Sequence, residues 1–171
     1  RTSEFVFENS VFADWISLTP ERIDVILAQD FHHWKGSKIV GDSKDLLAVR
    51  QFFKDNFVSI NDIRVGAIAK TGDTPQMSSR GFLKLCEKSK LVESGLKRER
   101  IEVLLKAVNY DPNQTDANNF NKASKLVRFE YFEMLLRMAK AQYTLEDDSG
   151  ENSHANALQR LFSDHLAPFF A

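Results

Sequence analysis

Apolar residues return at spacings of three and four from Ile23 to Leu166, and only seven glycines and four prolines interrupt them. That period is the one a helix needs to keep a continuous apolar stripe, and scarce turn formers disfavour a many-stranded sandwich or barrel. Fourteen phenylalanines supply ample core material. The fold class expected is all-α.

Charge narrows the partners. Lys plus Arg number 23 and Asp plus Glu 24, a formal net charge of −1, so nothing pulls the whole chain toward nucleic acid or anionic lipid. A polyanion-binding surface would have to be local. No apolar run approaches the roughly 20 residues that span a bilayer, and the start RTSEFVFENS lacks the apolar stretch of a signal peptide. A single cysteine, Cys86, excludes an intrachain disulfide framework and a multi-cysteine zinc site. The chain therefore needs no oxidising compartment, and a cytoplasmic location is expected. Arg1 in place of Met is what a fragment or a processed product would show.

Caps and breakers place the helices. Thr19 followed by Pro20 reads as an N-cap with proline in the first turn, and Ile23, Ile26, Leu27, Phe31 and Trp34 form one face before Gly36 ends the helix. Asp42 or Ser43 caps a second helix, to about Phe57, that turns Leu46, Val49, Phe52 and Phe53 inward. Ser59 with Asp62 caps a third, carrying Ile60, Ile63, Ala67 and Ile68. After the turn stretch Thr71 to Pro75, a fourth helix carries Phe82, Leu85 and Cys86. A fifth from about Lys97 carries Ile101, Leu104, Leu105 and Val108, with Pro112 beyond its end. Phe132, Leu135, Leu136, Ala139 and Tyr143 make the clearest amphipathic face. The last helix, about His154 to Leu166, turns Leu158, Leu161, Phe162 and Leu166 inward, and Pro168 is expected to close it.

Residues 58–143 repeat one order: helix, polar loop, short extended apolar segment, helix. In QMSSRGFLKLC and LVRFEYFEMLLRMA, the residues Met77 and Val127 take matching places, as do Phe82 and Phe132. These are the eighth and thirteenth positions counted from the start of an EF-hand loop, where a short strand and an opening aromatic are expected. The chain resembles a degenerate paired EF-hand domain. More narrowly, LVRFEYFEMLLRMAKAQY followed by NALQRLFSDHLAP is similar to ciliary, flagellar and other protist cytoskeletal proteins. The resemblance implies a helical pair at 58–145, an N-terminal helical extension at 1–57, an acidic linker at 146–153 and a C-terminal helix at 154–171. It also implies a cytoskeletal or ciliary setting, with tubulin or axonemal proteins as partners.

The loops themselves lack the chemistry of calcium sites. Ca²⁺ takes six to eight hard oxygens, from loop positions one, three, five, seven and nine and a bidentate carboxylate at twelve. Counted from Lys70, those positions hold Lys70, Gly72, Thr74, Gln76, Ser78 and Gly81. Counted back from Val127, they hold Phe120, Lys122, Ser124, Leu126, Arg128 and Tyr131. Upstream, Asp111, Asn113, Thr115 and Asn119 imitate part of a loop, but Asp116 replaces the turn glycine and Lys122 the closing carboxylate. No metal and no cofactor are expected, and a module that has lost its ligands keeps its groove as a permanent partner site.

Other chemistry is thin. His32 and His33 point about 100° apart on a helix and share no tetrahedral site unaided. Cys86, flanked by Phe82 and Leu85, reads as a core thiol. GxxxxGK[ST] and GxGxxG are absent, and Asp147-Asp148 lies in a polar stretch that fixes no geometry, so an enzyme is not expected. The run Lys97, Arg98 and Arg100, near Lys84, Lys88 and Lys90, offers a local patch for acidic tubulin tails, although Glu87, Glu93, Glu99 and Glu102 are interspersed and favour a solvated face of mixed charge. Phe5, Phe7 and Phe12 at one end and Phe169 and Phe170 at the other lie in segments too short to bury them alone, so they close over the core or enter a partner. The expected role is a non-enzymatic structural or adaptor module. One alternative is a calcium-responsive regulator ligated through Asp111, Asp116 and backbone carbonyls. A nucleic-acid-binding domain is a third reading, disfavoured by the near-neutral charge.

Overall fold

The computed structural model describes residues 18–72, 76–110, 125–143 and 153–170. These form an all-α fold. Helix α1 (Pro20–His33) starts where its cap is expected, with Thr19 Oγ1 accepting from the Arg22 N–H at 3.3 Å. The helix stops at His33, however, and Gly36 does not close it but opens α2 (Gly36–Val40). The reason is Trp34, whose indole folds over the Gly36 backbone so closely that a Cβ there would come within 2.4 Å of the ring. Only glycine leaves that space, and Trp34 is buried as a result.

Helix α3 (Ser43–Asp55) is capped by the Asp42 carboxylate, which accepts from the Asp45 N–H at 2.7 Å. Helix α4 (Phe57–Thr71) begins two residues ahead of the expected Ser59, because Asn56 serves at once as the end of α3 and the start of α4. Its side-chain amide donates to the Phe52 carbonyl at 2.9 Å, so the joint is one residue long. Gly72 then closes α4 in the left-handed conformation, φ +71°.

Strand β1 (Met77–Ser78) leads into α5 (Ser79–Lys88), and α6 (Arg98–Asn109), strand β2 (Lys125–Leu126) and α7 (Arg128–Gln142) repeat the order. The two strands pair antiparallel, Met77 opposite Leu126 and Ser78 opposite Lys125. Leu126, not Val127, is therefore the counterpart of Met77. The one-residue shift makes Tyr131, not Phe132, the counterpart of Phe82, and those two rings meet edge-on at 6.3 Å. It also places Glu130, not Tyr131, four residues after the strand residue, where an EF-hand loop would have its twelfth position.

Helix α7 is the axis of the core. The sequence suggests a one-sided apolar stripe, but Tyr131, Phe132, Met134, Leu135, Leu136, Met138 and Ala139 are all buried, and so are Glu130 and Glu133. Neighbours surround the helix: α1, α2, α6 and α8 (His154–Leu161) all contact it. Phe132 lies 5.0 Å from Phe53 and 5.9 Å from Phe57, tying the N-terminal helices to the repeat in one aromatic cluster. Burial of two carboxylates requires partners. Glu133 accepts from the Lys35 N–H at 3.2 Å and from Arg137 Nε at 3.0 Å, and Asp30 takes both arms of Arg128 at 2.6 and 3.1 Å. The Lys35 ammonium reaches across to the Ala107 and Val108 carbonyls at 3.3 and 3.2 Å, supplying donors to the open end of α6.

The C-terminal segment docks by its first turn. The Asp45 carboxylate on α3 accepts from the N–H groups of His154 and Ala155 at 2.9 and 3.2 Å and meets His154 Nδ1 at 2.8 Å. Beyond α8 the chain takes one π turn, Phe162–Leu166, closed by the Ala167 N–H on the Phe162 carbonyl, and continues as α9 (Ala167–Phe170). Pro168 thus does not close the helix. It sits in the first turn of α9, where a missing N–H costs little. No helix among the described residues is long and apolar enough to cross a membrane.

A lysine-rimmed groove between α4 and α5

The first helix-loop-helix unit leaves a groove of about 510 Å³ between α4 and α5. Its floor comes from Ile63, Gly66 and Ala67 on one side and Gly81 and Leu85 on the other. The packing follows from the loop: Ser78 caps α5 by accepting from the Gly81 N–H at 3.0 Å, and Thr71 lies against Gly81, where an added Cβ would approach its side chain to 3.4 Å. At Gly66 a Cβ would meet nothing within 4 Å, so the groove is open over that residue.

Lysines stand around the opening. Lys70 projects from the last turn of α4, and Lys84 and Lys88, one turn apart, from α5. All three are exposed. The Lys70 ammonium opposite Lys88 repels it and, with some desolvation added, holds Lys88 below the usual lysine range. Among the described residues none of the three forms an ion pair, and Asp62 is the single carboxylate on the lining.

Phe169 and Phe170 close one end of the groove. Both are half-buried, with the Lys88 ammonium 4.6 Å above the Phe170 ring and Lys90 5.7 Å above Phe169. The C-terminal aromatics and the α5 lysines, separate signals in the sequence, come together here. Lys97, Arg98 and Arg100 do not join them. These three are exposed at the start of α6, and Arg98 is matched by Glu87 and Glu102, each at 3.2 Å. Phe5, Phe7 and Phe12 lie outside the described residues, as do Asp111 and Asp116.

The remaining reactive groups are held inert or structural. Burial pushes the Cys86 thiol up, far from a thiolate at neutral pH, and it contacts Met138 sulfur at 3.8 Å. Burial also pushes up the Tyr131 phenol, which donates to the Ile60 carbonyl at 3.2 Å. Counted as an EF-hand loop, the first loop would put Lys70 at its first ligand position and Gly81 at its twelfth, a donor set that disfavours a cation. Among the described residues no three His, Cys, Asp or Glu side chains gather as a metal site would require. Sequence reasoning missed the groove because its glycines carry no pattern, although Lys84 and Lys88 at i and i+4 beside Gly81 were a readable signal. Comparison with protein-family models, curated proteins and solved structures returns no match.

Proposed function

We propose that the chain is a non-enzymatic structural or adaptor module of a larger assembly, and that the groove between α4 and α5 is its docking surface for a protein. The observation that supports this is the groove itself: an apolar floor kept open at Gly66, beside half-buried aromatics and lysines that form no ion pair among the described residues. The resemblance to degenerate EF-hand pairs of ciliary and cytoskeletal proteins makes a microtubule or axonemal assembly the first one to test. Co-sedimentation with stabilised microtubules and with detergent-extracted axonemes is the experiment. Wild-type protein is expected in one of the two pellets and a Gly66→Leu variant, which fills the groove, in the supernatant. Wild type that pellets with neither overturns the cytoskeletal setting, and Gly66→Leu that pellets equally overturns the groove as the docking surface.

The strand register favours a second reading, a calcium-responsive regulator. With Leu126 in the strand, the twelfth position of the second loop is Glu130, a carboxylate at the third residue of α7. Calorimetric titration of calcium, with magnesium as control, decides it: saturable heat lost in Glu130→Gln supports regulation by calcium, and no heat removes it.

A further inference from the structure

The rim of the groove says what kind of protein segment it receives. We propose that the occupant is an acidic amphipathic helix of a partner protein, with carboxylates one turn apart facing Lys84 and Lys88 and an apolar side chain entering over Gly66. This rests on the groove being a docking surface and goes on to name its partner chemistry.

Lys70 stands opposite Lys88 closely enough to disfavour the charge on Lys88. A third, Lys84, lies one turn from Lys88 on the same face. Among the described residues no carboxylate pairs with them: Asp62 on the lining forms no ion pair, and Glu87 turns to Arg98 at 3.2 Å. Among the described residues these lysines thus stand around an apolar floor without an ion-pair partner, and an incoming anion is favoured by attraction. A small inorganic anion would satisfy the lysines and leave the open floor at Gly66 and Ala67 wet. A helix with carboxylates on one edge and an apolar residue between them satisfies both, because i and i+4 carboxylates match the i and i+4 spacing of Lys84 and Lys88. Phe169 and Phe170 at the closed end give its apolar side chain an aromatic wall.

The probes are two fluorescein-labelled helical peptides of about 16 residues, one with leucines on one face and glutamates on the other, one with lysines replacing the glutamates. Anisotropy titration of the full chain is expected to show saturable binding of the acidic peptide and at least about tenfold weaker binding of the basic one, a difference that shrinks as salt rises. Lys84→Glu/Lys88→Glu, with folding verified by its melting curve, is expected to lose about tenfold for the acidic peptide and to gain the basic one. That exchange of preference separates lost contact from lost folding. Gly66→Leu is expected to weaken the acidic peptide by a similar factor. Failure of wild type to bind the acidic peptide, or unchanged binding by the double variant, overturns the acidic partner while the sedimentation result for Gly66→Leu still stands on its own. Acidic-peptide binding that ignores Gly66→Leu places the occupant outside the groove and overturns the proposal. Sedimentation with phosphatidylserine vesicles, abolished in the double variant, together with no peptide binding, would make the lysines a membrane contact and overturn it also.

Discussion

The two helix-loop-helix units share an order and a strand pair, yet one is closed and the other open. In the second unit, α7 is covered by α1, α2, α6 and α8, so that even its glutamates are buried. In the first, α4 and α5 keep a groove between them that, among the described residues, only Phe169 and Phe170 enter from outside. The difference is in the neighbours and not in the repeat. Helix α8 is pinned to α3 by Asp45 and lies on α7, whereas the first unit stays open over Gly66. Two units of the same order can therefore differ, one supplying core and the other leaving a groove.

The sharpest way to test that division is to cut a buried ring from the closed unit. Phe132→Ala removes a fully buried side chain in contact with Phe53, Phe57 and Tyr131, and is expected to cost about 3–5 kcal/mol in urea denaturation. A loss under 1 kcal/mol, about the cost of a tolerated core exchange, would mean that α7 is not the axis described. Asp45→Ala unpins α8 and is expected to cost about 1–2 kcal/mol, because it removes a carboxylate that serves two N–H groups at a helix start. Hydrogen exchange should then speed up in α8 ahead of α4. In the open unit the sign reverses. Gly66→Ala adds a Cβ where nothing stands within 4 Å, inside a helix, and is expected to stabilise by about 0.5–1 kcal/mol. Destabilisation there would show that the groove is filled in solution.

The smallest effect is confined to alkaline pH. Burial, then the hydrogen bond to Asp164 at 3.0 Å, pushes the Tyr143 phenol up to about 12. Its folded value lies above the unfolded one near 10, so the native state holds the proton longer and stability falls as pH rises from about 10 to about 12. Tyr143→Phe should flatten that part of the stability curve.

Much of this architecture was legible in the sequence. Thr19-Pro20, Asp42 and the spacing Ile101, Leu104, Leu105, Val108 set helix starts and faces through local chemistry, and local chemistry is what a sequence displays. The errors fall where tertiary contact decides. Gly36 reads as a stop until Trp34 is seen lying over it, and Pro168 as a stop until the π turn before it gives α9 a fresh first turn. The strand register slipped by one because Leu126-Val127 offers two apolar residues, and only the partner Met77 chooses between them. The groove was the least legible feature, since Lys70, Lys84 and Phe170 are far apart in the chain and only packing joins them.

The π turn has a consequence for how this end of the molecule tolerates change. One residue of an α-helix turns the chain through about 100°, and a π turn carries one residue more than its α-helical equivalent. If Phe162–Leu166 were rewound as ordinary α-helix with no residue removed, Phe169 and Phe170 would swing by roughly that angle about the axis and leave their place beside Lys88 and Lys90. Deleting the exposed Ser163 would remove the extra residue and leave both rings in phase. The segment thus tolerates either the π turn with its extra residue or a regular helix one residue shorter, so the phase in which the two rings leave it, and neither its winding nor its length alone, is what inheritance must preserve.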